Sequence, residues 1–184
     1  MNCNPFTKGH RYLIETAAKE CDRLYVFVLS EDKSEFAAKD RLEMVKLGTA
    51  DLPNVTVLPT GPYLISSATF PTYFLKDREK ARQVQCLLDI EIFCRYFAPH
   101  FGITRRYVGT EPLSPVTNLY NEALLANLPG RGIEVRCIPR LTQGNTPVSA
   151  GAVRKAISSG SLSRLEMLIP HTTLAYLREK HLID

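Results

Sequence analysis

Short apolar runs alternate with stretches of helical periodicity along this chain, and that alternation confines it to an α/β fold. Residues 24–29 (LYVFVL) are a nearly unbroken apolar run ending at Ser30, the pattern of a parallel strand covered on both faces. Residues 55–58, 103–108 and 133–138 supply further strands. Helices are predicted over 9–22, where Leu13, Ile14, Ala17, Ala18 and Cys21 share a face, and over 39–49, with Gly48 near the end. Further helices are predicted over 78–97 and 116–128, then from Ser149 onward, with two short ones after that. The polar, acidic segment 30–37 reads as a mobile loop and 139–147 as a connecting loop. The expected architecture is a Rossmann-like, doubly wound, mostly parallel sheet with helices on both faces. Such folds place an apolar strand before their first turn, and only residues 1–3 stand there. The first strand is therefore expected to be largely missing and the chain to be a fragment.

Composition narrows the function classes. The 184 residues suit one large domain or one compact domain with an extension, and 45% hydrophobic with 23% charged residues is ordinary for a globular protein. A formal charge of +4, with no dense basic run interleaved with aromatics, permits phosphate ligands and argues against a nucleic-acid partner. Cys3, Cys21, Cys86, Cys94 and Cys137 form no Cys-x-x-Cys pair, which suits reduced thiols in a cytoplasmic protein. No targeting segment or membrane-spanning run is visible.

Three segments carry the candidate chemistry. In the first, Asn4-Pro5-Phe6 turns the chain and Thr7-Lys8-Gly9-His10 opens a helix. The free N–H groups and dipole of that helix start suit a polyphosphate. Thr7 could donate its hydroxyl, Gly9 allows close approach, and His10 could meet charge developing on a breaking phosphate bond. A capped helix start with an incidental histidine explains the same residues. The second segment is Gly109-Thr110-Glu111 at a strand's carboxyl end, where open α/β sheets bind ligands. Glu111 could bind metal or adenine, or simply turn the strand's end. In the third, Ser149 caps a helix and Arg154 follows, a second phosphate clamp or a cap beside a surface arginine. Segment 60–75 is rich in hydroxyl and aromatic residues and reads as a loop and short helix. It lies either at a cleft's mouth or as a plug of Phe70, Tyr73 and Phe74 on the sheet's edge. His100, His171 and His181 have no metal-ligand spacing.

Thr7-Lys8-Gly9-His10 resembles the (His/Thr)-x-Gly-His signature of the nucleotidylyltransferases, and VSAGAVR (148–154) resembles their later Ile-Ser-Ser-Thr-x-Ile-Arg segment. Within that superfamily the segments NCNPFTKGHRYLIE (2–15), ISSATFPTYF (65–74) and GTEPLSPVT (109–117) are similar to those of the citrate lyase ligases, and the resemblance covers essentially the whole chain. It implies a nucleotidylyltransferase-like catalytic domain over 1–184, without the acetyltransferase-like domain that precedes it in the family. It also implies ATP, with Mg2+ carried by the nucleotide, and acetate as substrates. Acetate would be activated as acetyl-adenylate with release of pyrophosphate. The acetyl group would then pass to the prosthetic-group thiol of citrate lyase's acyl-carrier subunit. Thr7, His10 and Arg154 would be catalytic. Asn4, Pro5, Phe6, Lys8, Gly9, Gly109, Thr110, Glu111, Val148 and Ser149 would bind nucleotide, and Arg41, Ser66, Ser67, Phe70 and Tyr73 would line the substrate site. Gly151 departs from the superfamily pattern, which has a hydroxyl residue there. Two alternatives are an adenylyltransferase acting on a phosphorylated small molecule and an inactive nucleotide-binding module.

Overall fold

The computed structural model describes residues 1–64, 78–112, 114–144 and 146–183. It divides into two compact units, Met1–Thr60 with Arg140–Asp184, and Gly61–Pro139.

In the first unit, α1 (Lys8–Ala18) leads into β1 (Leu24–Val28), then α2 (Ala38–Thr49) and β2 (Val55–Pro59). β1 and β2 pair in parallel, from Leu24 opposite Val55 to Val28 opposite Pro59. The expected continuous burial of β1 is replaced by alternation, with Val26 and Val28 buried and Leu24, Tyr25 and Phe27 half-buried. The first residues lie along β1: the Met1 amine donates to Phe27 O, and Leu29 N donates to Met1 O. The unit closes with β5 (Thr142–Gln143) and β6 (Thr146–Pro147), then α6 (Ala150–Ser158), α7 (Leu162–Leu168) and α8 (His171–Glu179). The connecting loop expected over 139–147 thus contains an antiparallel pair, Thr142 opposite Pro147. Phe6, Val28, Met44, Val153, Leu165 and Leu177 anchor one core, each worth about 1.5–3 kcal/mol on burial.

Gly48 lies near the end of α2, as expected, one residue before Thr49. It sits within the helix, where a Cβ would lie 2.4 Å from Phe6 Cε1, so its missing side chain makes room for that buried ring. The carboxylate of Asp32 accepts from Ala38 N at 2.9 Å and caps α2 from six residues upstream. Segment 30–37, expected to be mobile, is pinned by a buried guanidinium. Arg41 donates to Phe36 O (3.1 Å), Glu31 O (2.7 Å), Asn2 O (2.9 Å) and Asn2 Oδ1 (2.6 Å).

In the second unit, α3 (Arg78–Ile92) runs through a π-helical turn (Phe93–Phe97) into α4 (Ala98–Phe101), where Gly102 at φ +63° reverses the chain. β3 (Arg105–Gly109) and β4 (Glu134–Ile138) pair in parallel, joined by α5 (Pro115–Asn127) and a 3-10 turn. Ile90, Phe93, Leu124, Leu128 and Ile133 form this unit's core. A polar chain crosses it: Arg106 Nη2 donates to Tyr120 OH at 3.1 Å, which donates to Asp89 Oδ2 at 2.5 Å. The Arg106 guanidinium also lies 4.3 Å above the Phe93 ring.

The α/β class with parallel pairing thus agrees with the alternation in the sequence.

Candidate functional site at two capped helix starts

The first ten residues build one wall of the site. Buried Cys3 takes φ +50°, the Asn4–Pro5 peptide is cis, and the next residues reach the start of α1. Thr7, extended at φ −122° and ψ 164°, is the N-cap, and His10 completes a capping box in the place usually held by Glu or Gln. His10 N donates to Thr7 Oγ1 at 3.2 Å, while Thr7 N donates to His10 Nδ1 at 3.1 Å. A backbone N–H only donates, so Nδ1 is the acceptor and the proton of the neutral ring sits on Nε2. Thr7 Oγ1 is also 3.0 Å from Nδ1, and it donates there for the same reason. Burial, then the positive charges of the Met1 amine and Arg140, pushes the His10 pKa down to about 3. His10 is therefore a neutral ring whose Nε2–H is its hydrogen-bond donor.

The ring is held from behind. It stacks on Phe6 with centroids 5.9 Å apart and planes 15° from parallel, and Phe6 is fully buried against Gly48. The next residue fixes the helix itself. Arg11 makes a two-pronged bond to Asp51 (2.6 and 2.7 Å), and a further bond to Glu15 one turn along α1.

The second wall is the start of α6. Ser149 is its N-cap and accepts from Ala152 N at 3.1 Å. A Cβ on Gly9 would lie 3.2 Å from Val148 O, so the glycine permits close approach between the two helix starts. Arg154 Nη1 donates to Asn4 O at 2.6 Å, and its Nε lies 3.3 Å from Glu35 Oε2. Arg140 Nε donates to Val148 O at 3.4 Å. Asn4, Gly9, Val148 and Arg154, 150 positions apart at the extremes, are thus brought together. First-turn N–H groups of each helix have no intrahelical acceptor and suit an anion.

Other expected site residues take different places. The Thr7 side chain is buried and engaged with His10, so its work is to orient that ring. Pro5 and Phe6 are buried and support the turn. Lys8 reaches Glu166 O at 2.7 Å, near the end of α7. Arg41 is fully buried and spends its donors on backbone and Asn2, which leaves it structural rather than substrate-facing. Gly109, Thr110 and Glu111 belong to the second unit. There Asn121 Nδ2 holds Gly109 O at 2.9 Å, Thr110 N donates to Ile138 O, and Glu111 Oε1 accepts from Ser114 N at 3.1 Å at the start of α5. Ser66, Ser67, Phe70 and Tyr73 lie outside the described residues. Sequence reasoning missed Arg140 and Glu35. Both sit in irregular segments and carry no motif.

These features define an α/β protein that sets two capped helix starts beside each other, with a neutral histidine on one and an arginine on the other. The chain belongs to the citrate lyase ligase C-terminal domain family, whose model matches residues 1–177. It is 43% identical over 183 residues to the [Citrate [pro-3S]-lyase] ligase of Escherichia coli (strain K12), covering 97% of this chain and 52% of that protein. It is 42% identical over 184 residues to the ligase of the same name from Haemophilus influenzae, covering 97% of this chain and 55% of that one. The chain thus spans about half the length of the curated relatives it matches. Two crystal structures of Thermotoga maritima TmcAL share the fold. The form bound with alpha-thio ATP has a TM-score of 0.55 at 12% identity, covering 98% of this chain and 54% of its own. The apo form has a TM-score of 0.54 at 13% identity, covering 98% and 55%.

Proposed function

We propose that this chain is the nucleotidylyltransferase-like catalytic domain of a citrate lyase ligase, of Rossmann-like doubly wound type. It uses ATP to activate acetate and acetylates the prosthetic-group thiol of citrate lyase's acyl-carrier subunit. The observation that carries the reading is the convergence of the Thr7–His10 and Ser149–Arg154 segments on one place, in a chain of this family.

The chemistry follows from the site. An acetate oxygen attacks the α-phosphorus of ATP, the bond from that phosphorus to the bridging oxygen breaks, and pyrophosphate leaves. The carrier's thiol then attacks the acetyl carbon, AMP leaves, and the thiol proton passes to solvent. His10 offers Nε2–H to a phosphate oxygen as charge builds on it, with no reorganisation because the capping box has already set the ring. Arg154 and the α6 start hold the outer phosphates, and the N–H groups of Lys8 and Gly9 face the anion. Among the described residues no three His, Cys, Asp or Glu side chains are placed to hold a metal ion. Mg2+ carried by the nucleotide's own phosphates would offset their charge. No helix among the described residues is long and apolar enough to cross a membrane, and the free cysteines suit a reducing cytoplasm.

The test is incubation with ATP, radiolabelled acetate and the purified acyl-carrier subunit. Label transferred to the carrier thiol, dependent on ATP, supports the proposal. Labelled acetyl-adenylate without transfer restricts the reading to the first half-reaction, and neither product overturns it.

A further inference from the structure

Glu35 stands against the Arg154 guanidinium. Its Oε2 lies 3.3 Å from Arg154 Nε, a long contact, while Asn4 O takes Nη1 at 2.6 Å. The Glu35 side chain is 54% exposed and that of Arg154 35% exposed, so the pair is a weak, wet one. The other acids of the segment are occupied elsewhere: Asp32 caps α2 and Glu31 pairs with Lys33 at 3.0 Å.

The backbone on both sides of Glu35 is fixed. Asn2 Nδ2 donates to Ser34 Oγ at 3.2 Å, and Phe36 N donates to Asn4 Oδ1 at 3.0 Å. Arg41 holds Phe36 O and Glu31 O. Asn4 therefore binds Arg154 through its carbonyl and the Glu35 segment through its side chain. The segment cannot carry the carboxylate away, and a rotamer change of Glu35 alone frees the guanidinium.

We propose that Glu35 is a built-in competitor that lowers the site's affinity for ligands bringing phosphate oxygens to Arg154 and so eases their release. Such a ligand displaces the 3.3 Å carboxylate contact and replaces it with the close bidentate contact a guanidinium favours. A ligand that does not reach Arg154 leaves the pair intact and is indifferent to it. When the ligand leaves, the tethered segment returns the carboxylate. This inference rests on the reading of Arg154 as a phosphate-binding residue.

The experiment is calorimetric titration of wild type, Glu35→Gln, Arg154→Ala and the double variant with ATP, inorganic pyrophosphate and adenosine. Loss of an exposed ion pair predicts that Glu35→Gln binds ATP and pyrophosphate about two- to five-fold more tightly. Adenosine affinity should be unchanged, the gain should shrink at high salt, and it should vanish in the Arg154→Ala background. Weaker or unchanged ATP binding by Glu35→Gln, with ATP still bound by wild type, overturns the role of Glu35 and leaves the nucleotide reading standing. An equal gain for adenosine, or a gain that survives Arg154→Ala, also overturns it. Failure of wild type and Glu35→Gln to bind ATP or pyrophosphate overturns both readings. Because Glu35 is exposed, its substitution should leave the melting temperature near that of wild type.

Discussion

Replacing Gly48 by alanine tests how the histidine is supported. In a helix interior, glycine to alanine ordinarily stabilises by about 0.5–1 kcal/mol. Here the new Cβ would lie 2.4 Å from Phe6 Cε1 and 2.8 Å from Cδ1. Phe6 is fully buried and stacked on His10, so the ring has no open space to enter. Overpacking of this kind costs about 1–3 kcal/mol, and the net expectation is a loss of about 0.5–2 kcal/mol. For a chain this long that lowers the melting temperature by about 1–8 °C. The displaced ring also moves His10, so any activity that uses His10 should fall further than stability does. The control is Gly151→Ala in the first turn of α6. There the nearest atoms, Ser149 Oγ and Arg154 Nη2, are 3.9 and 4.0 Å from the added carbon, and stability should hold or rise. Urea and thermal denaturation of the three proteins give the answer. A Gly48→Ala protein as stable as wild type would refute the packing argument.

Arg41→Met should destabilise by about 3 kcal/mol, because it strips donors from the carbonyls of Phe36, Glu31 and Asn2 and removes a guanidinium the core is built around; urea midpoints measure it, and a loss under 1 kcal/mol contradicts the structural role. His10 is held neutral with its folded pKa about 3, below the ordinary value of 6.5, so its contribution to stability is present above pH 6.5 and is lost as pH falls toward 3. Wild type should therefore lose stability over that window more steeply than His10→Gln, and nitrogen NMR at pH 7 should find the His10 proton on Nε2. Parallel slopes, or a proton on Nδ1, would contradict the capping-box assignment. Tyr120→Phe should cost about 1–3 kcal/mol by removing the hydroxyl that bonds both Asp89 and Arg106 Nη2 in the second unit, which denaturation again measures.

The fold class was legible because its signal is periodic. Apolar runs at 24–29, 55–58, 103–108 and 133–138 fell on the four longer strands, and their boundaries moved by no more than two residues. Helix starts were legible where a side chain caps them, as at Thr7 and Ser149, since that chemistry is local. What escaped is what distant residues decide. The place of Gly48 near the end of α2 was legible, but its making room for the Phe6 ring was not. Segment 30–37 looked mobile because its anchors, Asn2, Asn4 and Arg41, are outside it. Arg41 itself has the composition of a ligand-binding arginine and the surroundings of a structural one. For the site, the sequence named His10, Asn4, Gly9, Val148 and Arg154, and the structure brings these together. It gave no hint that Thr7 faces inward to His10, or that Glu35 stands on Arg154, because a capping box closed by histidine and a loop carboxylate have no signature of their own.

Acetate-dependent exchange of labelled pyrophosphate into ATP, catalysed by this chain, tests the central claim most directly, because it reads reversal of acetyl-adenylate formation without the carrier. Exchange that requires acetate, and that falls by about 30- to 1,000-fold in His10→Ala for the loss of one charge-stabilising donor, is the predicted result. Exchange that proceeds equally without acetate, or ATP binding with no exchange at all, would contradict it.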